Sequence, residues 1–155
     1  MINIEVVSDN NLWNKKIKKH LFFKNLIKFF PKKYRFIKKN VSLTVLLSNS
    51  KNIKKLNQKF RNKDKATDIL SFPSEKKFNV KKNSYLGDII LSYEFINKPK
   101  KITNLEFKKK VAQIFIHGFL HLLGYDHIKL KDLKKMIKEE EKIFKYINTK
   151  ITYLA

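Results

Sequence analysis

Regular alternation of hydrophobic and polar positions indicates that several segments of the chain are β-strands. Residues 1–7 have Ile2, Ile4 and Val6 at every second position, and successive side chains of a strand point to opposite faces of a sheet. A second alternating segment follows, and then two short apolar stretches rich in β-branched or aromatic residues. We therefore predict four strands, at residues 1–7, Val41–Leu47, Ile69–Phe72 and Leu86–Tyr93.

Apolar positions spaced by three and four residues indicate helices between and after the strands. The segment 11–30 has an apolar stripe among lysines and precedes Pro31, which cannot continue a helix. Thr103 and Glu106 form a capping-box pattern that begins a long helix, and Gly124 follows its last apolar positions. We predict four helices, at residues 11–30, 52–60, 103–123 and 131–147.

The predicted order of elements is β-α-β-α-β-β-α-α. Because two strands follow each other without a helix between them, a mixed sheet is favoured over a doubly wound parallel one. The predicted fold class is therefore α+β, with a mixed four-stranded sheet, helices packed on it and a central helix that carries histidines. No repeat, Gly/Ser linker or Pro-rich segment divides the chain, so we expect residues 1–155 to form a single domain.

The chain has no cysteine, which excludes disulfides, thiolate metal ligands and cysteine nucleophiles, and which suits the reducing cytoplasm. No apolar run approaches the roughly 18 to 20 residues that span a bilayer. The N-terminus shows no basic region followed by an apolar block, so we expect no signal peptide. Segment 11–30 also resembles a basic helix on a membrane surface, but a core-facing helix is the preferred interpretation. We expect a cytoplasmic protein with no membrane partner.

Three of the four histidines lie within eleven residues, at His117, His121 and His127. The first two are four residues apart on the predicted helix, so their imidazoles share one face, about 40° apart around the axis. Gly124 lets the chain fold back, so that the third imidazole can approach the same ion. Three protein ligands and an open fourth position are typical of a catalytic zinc site. Imidazoles also suit nickel, copper or iron, so the spacing alone does not fix the metal.

The histidine spacing matches that of the metzincin proteases, except at one position. Those proteases have a Glu directly after the first histidine, where it activates water, and here that position is Gly118. A glycine inside a helix is less favourable than alanine by about 1 kcal/mol. A close approach by a ligand or a neighbouring strand would explain this glycine. A metalloprotease is therefore not the favoured interpretation.

The formal net charge is +23, from 36 basic and 13 acidic residues. A field of this sign attracts polyanions such as the phosphate backbone of a nucleic acid. Only Arg35 and Arg61 are arginine, whereas Lys, Asn, Ile and Phe are abundant, as an AT-rich genome produces. Genome composition explains most of the charge, which permits nucleic-acid binding without establishing it.

Three motifs resemble one known family. The eleven residues HGFLHLLGYDH resemble the signature of the YbeY family, bacterial rRNA maturation factors with zinc-dependent endoribonuclease activity. Residues 56–73, LNQKFRNKDKATDILSFP, resemble the family's segment from an arginine to a T-D-V-L-S-F-P strand, and Leu86–Ile89 resembles its L-G-D-I strand opening. Met136 and Glu140 also lie where the family's last helix usually has a Met and a Glu.

The resemblance implies an α+β fold, cleavage of single-stranded RNA, maturation of the 3′ end of small-subunit rRNA and a role in ribosome quality control. It implies that His117, His121 and His127 bind one Zn²⁺ ion per chain, and that Arg61 is a catalytic residue. A planar guanidinium fork suits holding a phosphodiester. The small ribosomal subunit is an implied partner, as is a ribosomal protein or an assembly GTPase.

Several alternatives remain open at this point. Gln113 stands where the family often has a histidine, so any role of that histidine is in question. Asp68, Asp88 and Asp126 could orient an imidazole or could equally be turn and strand-end residues. The nucleophile could be water or the 2′-hydroxyl of the RNA. The main alternative function is an assembly factor that binds rRNA around a mainly structural metal, and a metalloprotease is the weaker one.

Overall fold

A mixed four-stranded sheet organises the fold in the computed structural model, which describes residues 1–75 and 79–155. Its strands are β1 (Ile2–Ser8), β2 (Val41–Ser48), β3 (Ile69–Pro73) and β4 (Tyr85–Ser92). They lie in the order β1-β2-β4-β3. The first two strands and β4 run parallel, whereas β3 pairs antiparallel with β4 and forms one edge. The predicted α+β class and mixed four-stranded sheet are confirmed.

The described residues include five α-helices, three of which match predicted ones. These are α1 (Lys19–Lys28), α2 (Ser50–Arg61), α3 (Tyr93–Ile96), α4 (Asn104–Leu122) and α5 (Leu130–Ile147). The predictions for α2, α4 and α5 are confirmed, and the single turn of α3 was not predicted. Within residues 1–75 and 79–155, no helix combines the length and the apolar character needed to cross a membrane.

The prediction of one continuous helix over residues 11–30 is wrong. A short 3-10 helix, Asn11–Lys15, precedes α1, and the chain leaves helical geometry at Lys18, where φ is −83° and ψ is 90°. Tertiary contacts explain the break. The ring of Trp13 is fully buried and its Nε1 donates to the carbonyl of Ser48 at 2.9 Å. The N–H of Lys18 donates to the carbonyl of Ala155 at 2.9 Å instead of continuing a helix.

Helices cover both faces of the sheet, because alternate residues of each strand point in opposite directions. Ile89 of β4 belongs to the larger core, which includes the buried aromatic residues of α1 and α4. Its neighbour Ile90 belongs to a smaller core on the other face, together with Leu70 of β3 and Ile53 of α2. The edge strand β3 is therefore packed between α4 on one face and α2 on the other.

Helix α4 lies very close to the edge strand. Thr103 caps the helix and forms the predicted capping box with Glu106. A Cβ atom at Gly118 would lie 2.5 Å from Cδ1 of Ile69 and 2.9 Å from Oγ of Ser71, both on β3. The close approach of a neighbouring strand, one of the two explanations that the sequence offered, therefore accounts for this glycine. The contact fixes the last turns of α4 beside β3.

Candidate metal centre

The three predicted ligands converge at the end of α4. His117 and His121 lie on its last turns, and His127 lies in the loop that follows. Gly124 has a φ of 99°, a left-handed conformation that glycine adopts at low cost and that turns the chain back. Each of the three imidazoles offers a ring nitrogen, and these atoms all lie within 4.8 Å of one another. The group has the geometry to hold one metal ion.

Asp126 shapes the loop that carries His127. Its Oδ1 accepts hydrogen bonds from the backbone N–H groups of His127 at 2.6 Å and of Ile128 at 3.2 Å. Such side-chain acceptance of neighbouring N–H groups is typical of an Asx turn. Of the two roles considered for Asp126, the structure supports the turn residue, which acts on the backbone of His127 and not on its imidazole.

A backbone carbonyl orients His121. Its Nδ1 lies 2.9 Å from the carbonyl oxygen of Tyr125. A carbonyl oxygen only accepts, so this Nδ1 carries the proton and donates it. In the neutral ring the other nitrogen, Nε2, then has a free lone pair, and it faces the cleft with the other imidazoles. Burial, and next the neighbouring His117, lower the pKa of His121 to about 4, so the ring is neutral at physiological pH.

A carboxylate orients His117 in the same way. Its Nδ1 lies 2.6 Å from Oε1 of Glu140 on α5. A carboxylate accepts the Nδ1 proton and leaves the Nε2 lone pair of the neutral ring available. Metal-binding histidines generally have such a partner on the second ring nitrogen. Glu140 was noted in the sequence only as part of a family resemblance, and its contact with His117 was not predicted.

The two Nε2 atoms, of His117 and His121, lie 3.1 Å apart. When both rings are neutral with the proton on Nδ1, neither Nε2 can donate to the other, and two lone pairs at this distance would repel. A cation between them and the nitrogen of His127 removes the repulsion. The donor set, three imidazoles without a sulfur ligand, fits a transition-metal ion such as zinc.

A hydrogen-bonded cluster supports the loop from behind. The hydroxyl of Tyr34 donates to the carboxylate of Glu139 and also hydrogen-bonds with the side chain of Tyr125. Burial and these contacts raise the pKa of Tyr34. The carbonyl of Tyr125 is the group that fixes the tautomer of His121. Helix α5 thus supports the site in two ways. Glu140 contacts His117 directly, and Glu139 supports the loop through Tyr34 and Tyr125.

Arg61 lines the same cleft as the three histidines, which has a volume of about 750 Å³. It is the last residue of α2, and Asn62, with a φ of 54°, ends that helix in the left-handed conformation. The Nη2 atom of Arg61 donates to the carbonyl of Ser71 at 2.8 Å, and its Cζ lies 5.6 Å from the ring centroid of Phe72. The structure thus brings all four predicted site residues together.

The contact between Arg61 and Ser71 involves the outer edge of β3. The carbonyl of Asp68 and the N–H of Ser74 form hydrogen bonds with β4. Because residues of an antiparallel strand alternate between facing the partner strand and facing away from it, the N–H and carbonyl of Ser71 point away from β4. Arg61 caps the carbonyl of Ser71, and Pro73 has no N–H to offer. This edge is therefore poorly suited to pairing with an added strand.

The other predicted polar residues have different positions. Asp68 lines the cleft, and its Oδ1 accepts from the hydroxyl of Thr67 at 3.2 Å. Asp88 lies on β4, where it accepts from the hydroxyl of Tyr85. Gln113 lies one turn before His117 and lines a small groove together with Glu140.

An α+β sheet with three convergent imidazoles beside an arginine defines a metal-dependent class of protein. The family model for endoribonuclease YbeY matches residues 5–148. The endoribonuclease YbeY of Pelagibacter ubique is 69% identical over 152 residues, covering 97% of this chain and 99% of that protein. The one from Buchnera aphidicola of Acyrthosiphon pisum is 40% identical over 153 residues, covering 97% and 92%.

A solved structure agrees with this relationship. The solution structure of TM1509 from Thermotoga maritima superposes with a TM-score of 0.55 and 25% sequence identity, and the match covers 96% of this chain and 93% of that one. The chain therefore belongs to the YbeY endoribonuclease family. The resemblance found in the sequence is confirmed.

Proposed function

We propose that the protein is a zinc-dependent, single-strand-specific endoribonuclease that matures the 3′ end of small-subunit rRNA and takes part in ribosome quality control. His117, His121 and His127 hold one Zn²⁺ per chain, and Arg61 is a catalytic residue. One observation carries the proposal: the Nε2 atoms of His117 and His121 lie 3.1 Å apart in a cleft that Arg61 also lines. Membership of the YbeY family and the names of its relatives support RNA as the substrate.

Zinc is the proposed ion because three protein ligands with an open fourth position are typical of a catalytic zinc site and because the chain belongs to the YbeY family. When bound, zinc supplies a Lewis acid that polarises a phosphoryl oxygen and lowers the pKa of water. The chain itself contributes the orientation of the ligands. The carboxylate of Glu140 and the carbonyl of Tyr125 each hold an Nδ1 proton, so that both helical histidines present a lone pair to the ion.

Arg61 is proposed to hold the phosphodiester next to the ion. Its guanidinium is fixed by the carbonyl of Ser71 and by the ring of Phe72, and its remaining N–H groups are available to phosphate oxygens. Lys63 lines the same cleft and adds positive charge. Cations held in place before the reaction stabilise the negative charge that develops in the transition state.

The protease alternative is disfavoured by two features of the site. The position of the proteolytic glutamate is Gly118, where even a Cβ would lie 2.5 Å from Ile69. Proteases commonly bind an extended peptide by adding it to a sheet edge, and Arg61 caps the outer edge of β3 at Ser71. The same arginine that obstructs a peptide offers charge to a phosphate.

The assembly-factor alternative rests on the net charge of +23, which would also suit a protein that only docks on rRNA. In either case the proposed partners are single-stranded rRNA and the small ribosomal subunit, with a ribosomal protein or an assembly GTPase, in the cytoplasm. Two oriented imidazoles and an accessible ion position favour catalysis, because a structural zinc site normally has all four positions filled by protein.

The proposal is tested with zinc-loaded protein and single-stranded RNA that covers the 3′ end of small-subunit rRNA, beside a casein control. Parallel reactions contain a chelator or the His121→Ala variant. Cleavage of RNA but not of casein, lost in both parallel reactions, is expected. Intact RNA together with ribosome binding would support the assembly factor instead, and cleavage of casein would overturn the argument from Gly118.

A further inference from the structure

Phe60 has its ring exposed to solvent and directly precedes Arg61, which lines the histidine cleft. It lies at the end of α2, and 58% of its surface is exposed. Eight aromatic residues in the described part of the chain are fully buried instead. An exposed phenylalanine is unremarkable alone, so the argument rests on what surrounds this ring.

The ring of Phe60 is held in place by a second aromatic ring. Its centroid lies 5.4 Å from that of Phe72, with an angle of 63° between the planes, a favourable edge-to-face geometry. The Nζ atom of Lys59 lies 5.2 Å from the centroid of Phe60. A flexible lysine can move aside, whereas the contact with Phe72 fixes the ring. A planar group that stacks on Phe60 therefore costs little side-chain conformational entropy, because the ring is already held in place.

The helix that carries this ring is strongly basic. The twelve residues of α2 include four lysines and one arginine but no carboxylate. Lys63 follows the helix and lines the cleft. Single-stranded nucleic acids bind to surfaces that combine such cations for the backbone with aromatic rings for the bases. The end of α2 has both components, and Arg61 and Lys63 connect it to the histidine cleft.

The ring is connected to the proposed reaction site through Phe72. Phe60 contacts the Phe72 ring edge-on, and the guanidinium of Arg61 lies 5.6 Å from the centroid of the same ring. Arg61 then reaches the carbonyl of Ser71, which lines the cleft. Phe60 and Arg61 therefore lie against the same ring, so a nucleotide whose phosphate is held by Arg61 would have its neighbouring base within reach of Phe60.

We propose that Phe60 is a stacking site for an unpaired base of the RNA, adjacent to the phosphate that Arg61 holds. This inference rests on the proposed function, because it assumes that the cleft receives an RNA strand. A base in a duplex is already stacked on both faces, so Phe60 favours substrates whose bases are free. The aromatic ring thus contributes to the preference for single strands, in addition to the sequence-independent attraction of the lysines.

The test measures binding of zinc-loaded, full-length protein to 2′-O-methylated single-stranded RNA that contains 2-aminopurine. Phe60→Ala is expected to weaken binding by about 5- to 100-fold, the range that one base–aromatic stack provides. Phe60→Trp should retain the affinity and quench the 2-aminopurine fluorescence more strongly. The matched control is Phe95→Ala, which also removes a partly exposed ring with a lysine, Lys98, over it. Phe95 lies near the start of α2, far from Arg61, because its neighbour Glu94 accepts from the N–H of Ser50.

An abasic RNA distinguishes stacking from a general loss of structure. Removal of the stacked base should weaken binding by the wild type and leave binding by Phe60→Ala unchanged, while the two proteins melt within a few degrees of each other. Equal affinities of wild type and Phe60→Ala would overturn the inference even if the wild type cleaves RNA. A clear loss in Phe60→Ala without RNA cleavage by the wild type would support the stacking site and contradict the nuclease.

Discussion

The Nδ1 atom of His117 and the Oε1 atom of Glu140 lie 2.6 Å apart, which joins the helix that carries two histidines to the following helix. Through this contact Glu140 would support ion binding by His117 without coordinating the ion itself. It holds the imidazole in the tautomer whose Nε2 faces the cleft. It also adds negative charge behind the ring, which makes the imidazole a better donor.

Replacement of Glu140 by Gln or Ala is expected to reduce zinc affinity by about 10- to 100-fold, the usual effect of removing a partner of a metal-binding histidine. Competition with a chromophoric chelator measures this directly. Glu141→Gln is the matched control, because Glu141 is exposed on the same helix. A Glu140→Gln protein with wild-type zinc affinity would show that the carboxylate does not orient the ligand.

Arg61→Ala is expected to lower kcat/KM for RNA cleavage by about 100-fold, because a charge held in place at the reaction site is lost. Arg61→Lys should recover only part of the rate, since an ammonium group cannot form the bidentate contact of a guanidinium. Zinc affinity should be unchanged in both variants, since Arg61 contacts Ser71 and Phe72 and not an imidazole. Arg35→Ala serves as the control for loss of an arginine elsewhere.

Gly118→Ala is expected to destabilise the fold by about 1 kcal/mol. Alanine favours the helix by about 1 kcal/mol, but overpacking against β3 costs about 1 to 3 kcal/mol. Ile69→Val removes the Cδ1 atom that would lie 2.5 Å from the new Cβ. The double variant should therefore recover stability in urea unfolding. If Gly118→Ala alone is more stable than wild type, the close approach of α4 and β3 does not require the glycine.

Acid should destabilise the metal-free protein through His121. Burial lowers the pKa of His121 to about 4 in the fold, whereas an unfolded histidine titrates near 6.5. Between these values the unfolded chain binds the additional proton, so the free energy of unfolding falls as the pH falls from about 6.5 to 4. The loss should be about 1 to 2 kcal/mol, because solvent screens the partly exposed ring.

Urea unfolding of metal-free protein at a series of pH values measures this loss. The control is His121→Gln, which cannot titrate, and its stability should depend less on pH over the same range. Identical pH profiles for the two proteins would contradict a depressed pKa at His121.

The sequence predicted those features that depend on local patterns. The strands and the histidine-bearing helix follow from the spacing of apolar residues, and the capping box at Thr103 is visible as a motif. Convergence of His117, His121 and His127 was also predicted, because a helical spacing of four and a glycine turn determine it. The prediction of one helix over residues 11–30 was wrong because distant parts of the chain bury Trp13 and hydrogen-bond Lys18 through Ala155.

The remaining features of the site could not be predicted from the sequence, because they depend on how distant elements pack against one another. Glu140 is one of three consecutive glutamates, and only the packing of α5 against α4 determines that it reaches His117, 23 positions earlier. The sequence indicated a function for Arg61 by resemblance alone. The contact that fixes its guanidinium depends on β3 being at the edge of the sheet, where an arginine from α2 can reach the carbonyl of Ser71.

All three proposed ligands come from eleven consecutive residues. Closing so short a segment around an ion has a small entropic cost even in the denatured chain. The denatured state therefore retains affinity for the ion, and binding to that state reduces the stabilisation that a ligand gives to the fold. Zinc should raise Tm by less than its affinity for the native protein implies, and chelation should remove activity long before it unfolds the chain.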